Sequence, residues 1–195
     1  IQAYDLLSGS NNPNGIFSAK LYIDDEPQVS FVLDSIDYDD TEYMNAHIDY
    51  KYDYHGGAFL QHLSKLPGDD GVVYRSIKND GIIHLTDSSI RLVSIDVKDA
   101  YGNTSQLNFA IQYLDSLANE KINYGHSSPR FSPGEINLLE KPEFKMYLGE
   151  GCLYDSVPSL YFRNNPTSVY SVSGLHQVND PSFPLHEELS VRIKP

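Results

Sequence analysis

The stretch I-R-L-V-S-I-D-V-K-D-A-Y-G-N-T-S-Q-L-N-F-A-I-Q-Y, residues 90–113, decides how this chain is read. Val93, Ile95 and Val97 alternate with Ser94, Asp96 and Lys98. After a polar turn, Leu107, Phe109, Ile111 and Tyr113 alternate with Asn108, Ala110 and Gln112. A period of two places each apolar set on one face of a strand. Gly102 and Asn103 lie between the runs, and both residue types tolerate positive φ. The pattern predicts a β-hairpin with one face in a core and one in water. Ile95, Val97 and Phe109 are then buried, with Leu21 opposite them. A lone hairpin is marginal in water, so other segments must supply the rest of its sheet and the layer over its apolar face.

Upstream, residues 1–6 suggest a first short strand, and S-G-S-N-N-P-N-G (residues 8–15) is rich in turn formers. Phe17, Ala19, Leu21 and Ile23 alternate with polar neighbours. Asp24-Asp25-Glu26-Pro27 then turns the chain into a return strand carrying Val29, Phe31 and Leu33. Residues 34–42 form an acidic loop. Residues 43–54, Y-M-N-A-H-I-D-Y-K-Y-D-Y, read as a strand with exposed aromatics. Residues 56–66 fit either a short helix or a strand. A turn at residues 66–71 precedes short strands expected at 72–77 and 81–85. Many short strands separated by turns every ten residues or so describe a β-sandwich.

Downstream, the alternation breaks from residue 114 to residue 133. It resumes at Phe144, Met146 and Leu148, again at Leu160 and Phe162, and finally at Leu189, Val191 and Ile193. The expected fold is all-β, with an immunoglobulin-like β-sandwich at 1–114, a linker or connection at 115–134, and a smaller β-sandwich-like domain at 135–195. A unit of 60 to 80 residues has little core of its own and is expected to lean on its neighbour.

The composition narrows the function. With 195 residues and 40% hydrophobic content, the chain can bury a real core. Fifteen tyrosines and no tryptophan, set among turn formers, favour strands. A net charge of −13 argues against a nucleic-acid or anionic-membrane partner. Cys152 is the only cysteine, which rules out an internal disulfide and a cysteine zinc site. No apolar run is long enough to span a bilayer. Ile1 is not a natural start, so the chain is expected to be a mature or excised piece of something longer.

Four stretches together carry a family resemblance. They are N-P-N-G-I-F-S-A-K-L-Y-I-D-D (12–25), Y-M-N-A-H-I-D-Y (43–50), V-K-D-A-Y-G-N-T-S-Q-L-N-F (97–109), and G-E-G-C-L-Y-D (149–155) with H-Q-V-N-D-P-S-F-P-L-H (176–186). They resemble the region downstream of the catalytic domain in Bacteroidetes-type secreted zinc endopeptidases of the lysostaphin class, which cut peptidoglycan cross-links. The resemblance implies non-catalytic accessory modules, periplasmic or extracellular, whose partners are the parent's catalytic domain and a cell-wall glycan or peptide. No cofactor is implied for the chain itself.

The residues agree in part. The lysostaphin class holds zinc with an H-x-x-x-D pair and an H-x-H pair. This chain has no H-x-H, and its H-x-x-x-D at His176 and Asp180 reads as a loop histidine followed by a turn aspartate. Neither a G-x-S-x-G elbow nor a Gly-rich phosphate loop is present. Cys152 is read as a buried structural thiol. The acidic loop with Asp34, Asp37, Asp39 and Asp40 offers oxygen ligands for calcium, but its spacing is not that of an EF-hand, and a solvated loop is the better account of it. Tyr43, Tyr50, Tyr52 and Tyr54 are candidates to stack on sugar or peptide; the plainer reading has half of them in the core. Asp34-Ser35-Ile36, Asp115-Ser116-Leu117 and Asp155-Ser156-Val157 resemble an O-glycosylation pattern of Bacteroidetes-type secreted proteins, making Ser35, Ser116 and Ser156 acceptor candidates. The runner-up function is a free-standing adhesion or ligand-binding module.

Overall fold

The computed structural model describes residues 1–6, 13–114, 129–166, 168 and 170–194. The chain is all-β, with antiparallel sheets and few helical residues. It divides into two compact units. The first takes in Ile1–Asp53, Gly57–Lys65 and Asp70–Ile122. The second takes in Tyr54–Gly56, Leu66–Asp69 and Asn123–Pro195.

In the first unit β1 (Asp5–Leu6) pairs with β2 (Pro13–Asn14). The principal elements are β3 (Ser18–Ile23), β4 (Glu26–Val32), α1 (Met44–His47), α2 (Tyr50–Tyr54), β5 (Tyr74–Ile77), β6 (Arg91–Lys98) and β7 (Thr104–Ile111). Five strands form one antiparallel sheet in the order β5-β4-β3-β6-β7. The turn between β3 and β4 is the pair Asp24-Asp25, both at positive φ (49° and 65°), which matches a tight hairpin to the strands' twist. Asp24 Oδ1 accepts from the Leu92 amide at 2.9 Å and Oδ2 from Arg91 at 3.2 Å. These bonds, led by that amide, hold its carboxyl below the usual range. Pro27 lies at the start of β4, where β5 does not reach, so its missing N–H costs the ladder nothing.

Register places Ala19, Leu21, Val29, Phe31, Val93 and Ile95 on one face. All six are buried. Ile1, Ile16, Leu63 and Tyr74 pack on that face. Beneath it, His47 is fully buried, with its ring edge-on to Phe31 at 4.5 Å. Its nitrogens lie 3.4 Å from the Tyr74 hydroxyl and 3.5 Å from Gln61 Nε2. Desolvation, aided by His62, pushes its pKa down to about 4.

The structure corrects several expectations. Residues 43–54 are mainly helical, not one strand: a 3₁₀ turn over Tyr38–Tyr43 leads into α1, and after a break at Ile48 and Asp49 into α2. Asp49 explains part of this, because its Oδ1 accepts from the Tyr52 amide at 3.1 Å and caps the helix that the tyrosine alternation concealed. Residues 82–85 stay outside the sheet. The 56–66 segment is also outside the sheet and makes one isolated bridge, Gln61 to Ile48. Phe109 is 44% exposed, and Val97 is only partly buried. The predicted face is right, since Phe109 stands opposite Val93 and Leu107 opposite Ile95. The covering layer reaches β6 and stops there, leaving edge strand β7 exposed along nearly its whole length.

In the second unit the strands are β8 (Arg130–Phe131), β9 (Asn137–Lys141), β10 (Phe144–Leu148), β11 (Val157–Pro158), β12 (Tyr161–Asn164), β13 (Leu175–Val178) and β14 (Ser190–Ile193). They make a three-stranded sheet, β14-β10-β9, and two ribbons, β11-β8 and β12-β13. The alternation read at Phe144, Met146 and Leu148 is the buried face of β10. Gly68 of this unit donates its amide to Tyr154 O at 2.8 Å, and a Cβ there would collide with the Leu153 carbonyl.

Two stability measurements test this account. Phe31→Ala empties a fully buried site and should cost about 3–5 kcal/mol in urea denaturation, whereas Phe109→Ala should cost about 1 kcal/mol or less. Equal costs would mean that the cover extends over β7. The second test is pH. Above pH 6.5 His47 is neutral folded or unfolded, and its contribution is complete. As pH falls the unfolded chain binds the proton first, so stability declines until the folded pKa of about 4 is passed. The loss is on the order of 3 kcal/mol. His47→Phe should flatten the pH slope across that window by roughly one proton; an unchanged slope would assign the loss to other groups.

Candidate functional site

The inner face of the β14-β10-β9 sheet carries Leu139, Phe144, Met146, Leu148, Val191 and Ile193. Facing it are Phe131, Leu153, Val157 and Phe183. Between these layers a half-open cavity of about 560 Å³ is walled mainly by apolar side chains, with Gln177, Asn179 and Asp180 among its polar members. Pockets of this size and character are the usual shape of a binding site. Its openness has a local cause. Leu139, Phe144 and Met146 are buried, but Val191 and Ile193, on the same face one strand further out, are 49% and 47% exposed. The opposing layer ends before it reaches β14.

His176 belongs to the wall of this cavity. Its ring stacks on Phe144 at 5.2 Å, and Nδ1 lies 2.8 Å from the Tyr161 hydroxyl. Its Nε2 is shut off from solvent with no partner among the described residues. Asp180 is turned toward Ser182, accepting from that residue's amide at 2.9 Å and from its hydroxyl. The H-x-x-x-D pair thus serves packing and a turn. Among the described residues, no three His, Cys, Asp or Glu side chains come together in a group suited to a metal.

Cys152 is fully buried, as a structural thiol should be. Its sulfur accepts from the Gly149 amide at 3.1 Å and donates to Glu188 O at 3.4 Å. His186 donates its own amide to Cys152 O at 3.0 Å and rests its ring on Tyr154. These contacts tie the 149–152 turn to the segment leading into β14.

The other candidates lie elsewhere. Tyr43 and Tyr50 are half-buried, and Tyr52 and Tyr54 are about half exposed. They ride on short helices, so they do not project alternately from one strand. In the acidic loop, Asp34 pairs with Arg75 at 2.6 Å, and Asp39 and Asp40 occupy the 3₁₀ turn. Ser35 is exposed beside Asp34. Ser156 is half-buried, and its hydroxyl accepts from Arg130 Nε at 2.8 Å. Ser116 lies outside the described residues. The cavity and the β14 edge were missed in the sequence; the V-x-I alternation at 191–193 marked a strand, but nothing local showed that its cover was absent.

The arrangement is that of a β-sandwich-like accessory module. Residues 129–195 match the family model of the Zu5-like domain, a β-rich domain not known to be catalytic. No curated protein and no solved structure matches the chain.

The thiol gives a direct check on the second unit. Cys152 should resist a disulfide reagent such as dithionitrobenzoate under native conditions and react at once in denaturant. Rapid labelling of the folded chain would show that the 149–152 turn opens readily.

Proposed function

We propose that this chain is a non-catalytic accessory region that positions or stabilises the catalytic domain of a secreted cell-wall zinc endopeptidase. The observation that carries the non-catalytic part is the Zu5-like match over residues 129–195. The residues best equipped for chemistry support it by their employment. His47 is buried against Phe31, His176 against Phe144, and Cys152 among backbone amides and carbonyls. A catalytic zinc takes three protein ligands and an open position, and peptide hydrolysis in this class depends on such a metal to polarise the carbonyl and activate water. In this proposal the ligands come from the parent's catalytic domain.

The endopeptidase parent is proposed on the sequence resemblance of residues 12–25, 43–50, 97–109, 149–155 and 176–186. It implies a periplasmic or extracellular setting, with the catalytic domain as partner and cell-wall glycan or peptide as a further contact. A second reading, a free-standing adhesion or carbohydrate- or protein-binding module, draws on Tyr52 and Tyr54, each about half exposed.

Zinc calorimetry, a turbidity assay on purified cell walls and a glycan array separate these readings. The accessory reading expects neither stoichiometric zinc binding nor wall clearing. Zinc uptake with lysis would make the chain an enzyme. Selective glycan binding lost in Tyr52→Ala would favour the adhesion reading.

A further inference from the structure

We propose that the outer edge of β14 receives an extended peptide strand that alternates apolar and acidic residues, with its apolar side chains entering the cavity. Three observations converge on this edge. The first is its backbone. The Lys194 amide donates to Glu143 O at 2.9 Å, in line with the register that pairs Arg192 with Lys145 and Val191 with Met146. In an antiparallel pair, residues alternate between bonding inward and facing away. Ser190 and Arg192 therefore turn their backbone groups toward β10, while Val191 and Ile193 turn their N–H and C=O groups outward. Among the described residues no strand meets them. Open edges of this kind are templates for strand addition.

The second observation is the cavity. The same two residues, Val191 and Ile193, place their side chains on its wall, each about half exposed. A strand bonded to their outward groups would set its own side chains beside theirs on the same face. Two apolar residues so placed extend the inner layer and close the open side, in the way alternate side chains of an added strand fill pockets.

The third observation is charge on the outer face, and it selects the partner. Across the sheet run Glu140, Lys145 and Arg192 in direct register. Glu140 forms an ion pair with Lys145. Lys145 then stands opposite Arg192, a like-charge pair that disfavours the sheet. Among the described residues no carboxylate pairs with Arg192. An aspartate or glutamate on the added strand, directly across from Arg192, completes an alternating row of charge. Arg192 and its new neighbour would occupy a site without backbone bonds between them, where side chains approach most closely. The recognised sequence is thus apolar–acidic–apolar. The inference is independent of which parent protein carries the chain.

The test uses the whole chain and two capped pentapeptides. One is threonine–valine–glutamate–valine–threonine; the other has lysine in place of glutamate. Titration to millimolar peptide is followed by amide NMR. The glutamate peptide should shift the Val191 and Ile193 amides and slow their exchange with solvent, and it should bind roughly threefold to tenfold more tightly than the lysine peptide. Arg192→Glu should invert that order. Three results would overturn the proposal: no shift with either peptide, equal binding of both to the wild-type chain, or shifts that follow protein concentration without peptide, which would give the edge to a second copy of this chain.

Discussion

An antiparallel sheet with one apolar face needs a cover, and in both units the cover stops one strand short of the edge. In the first unit the covering residues Ile1, Ile16, Leu63 and His47 lie over the inner strands, where Val29, Phe31 and Val93 are 2% exposed or less. Leu107 and Phe109 continue the same apolar row on β7 and remain largely exposed. In the second unit Phe144 and Met146 are covered, and Val191 and Ile193 beside them are not. Covered strands supply the burial energy, which scales with apolar area removed from water. Uncovered strands keep apolar side chains and unpaired backbone in reach of a partner, the combination on which strand-addition interfaces are built.

The ionisable and nucleophilic groups follow the same logic. His47 is enclosed by aromatic and amide neighbours, so burial favours its neutral ring and links folding to pH. Cys152 is held between a backbone donor and a backbone acceptor, which fits a small apolar residue with weak polar needs. His176 has one nitrogen on the Tyr161 hydroxyl and its ring on Phe144. Each has been built into a layer of the fold.

How much was legible from residues alone follows from the range of each signal. The alternation of Val93, Ile95 and Val97, of Phe144, Met146 and Leu148, and of Val191 and Ile193 is local, and it set strand identity and facing correctly. So was the turn chemistry at Asp24-Asp25. The tyrosine-rich 43–54 segment misled because Tyr50, Tyr52 and Tyr54 alternate as strand residues do, while the cap that decides the matter is one hydrogen bond from Asp49. Only the apolar wall of the candidate site could be seen in advance, because its emptiness is a property of the layer opposite.

By itself, the sequence determined an all-β chain, the apolar face of each main strand and a buried place for Cys152. Alternation, turn residues and motif spacing act between near neighbours, so these were readable in one dimension. The tertiary structure decided which apolar faces are hidden. Phe31 and Phe109 share a residue type and lie on the same sheet face, yet one is fully buried and the other is 44% exposed. That difference depends on how far distant segments extend over the sheet. The same dependence left β14 with an outer edge that no strand among the described residues meets, a cavity beneath it and Arg192 beside Lys145, through contacts between residues some fifty positions apart.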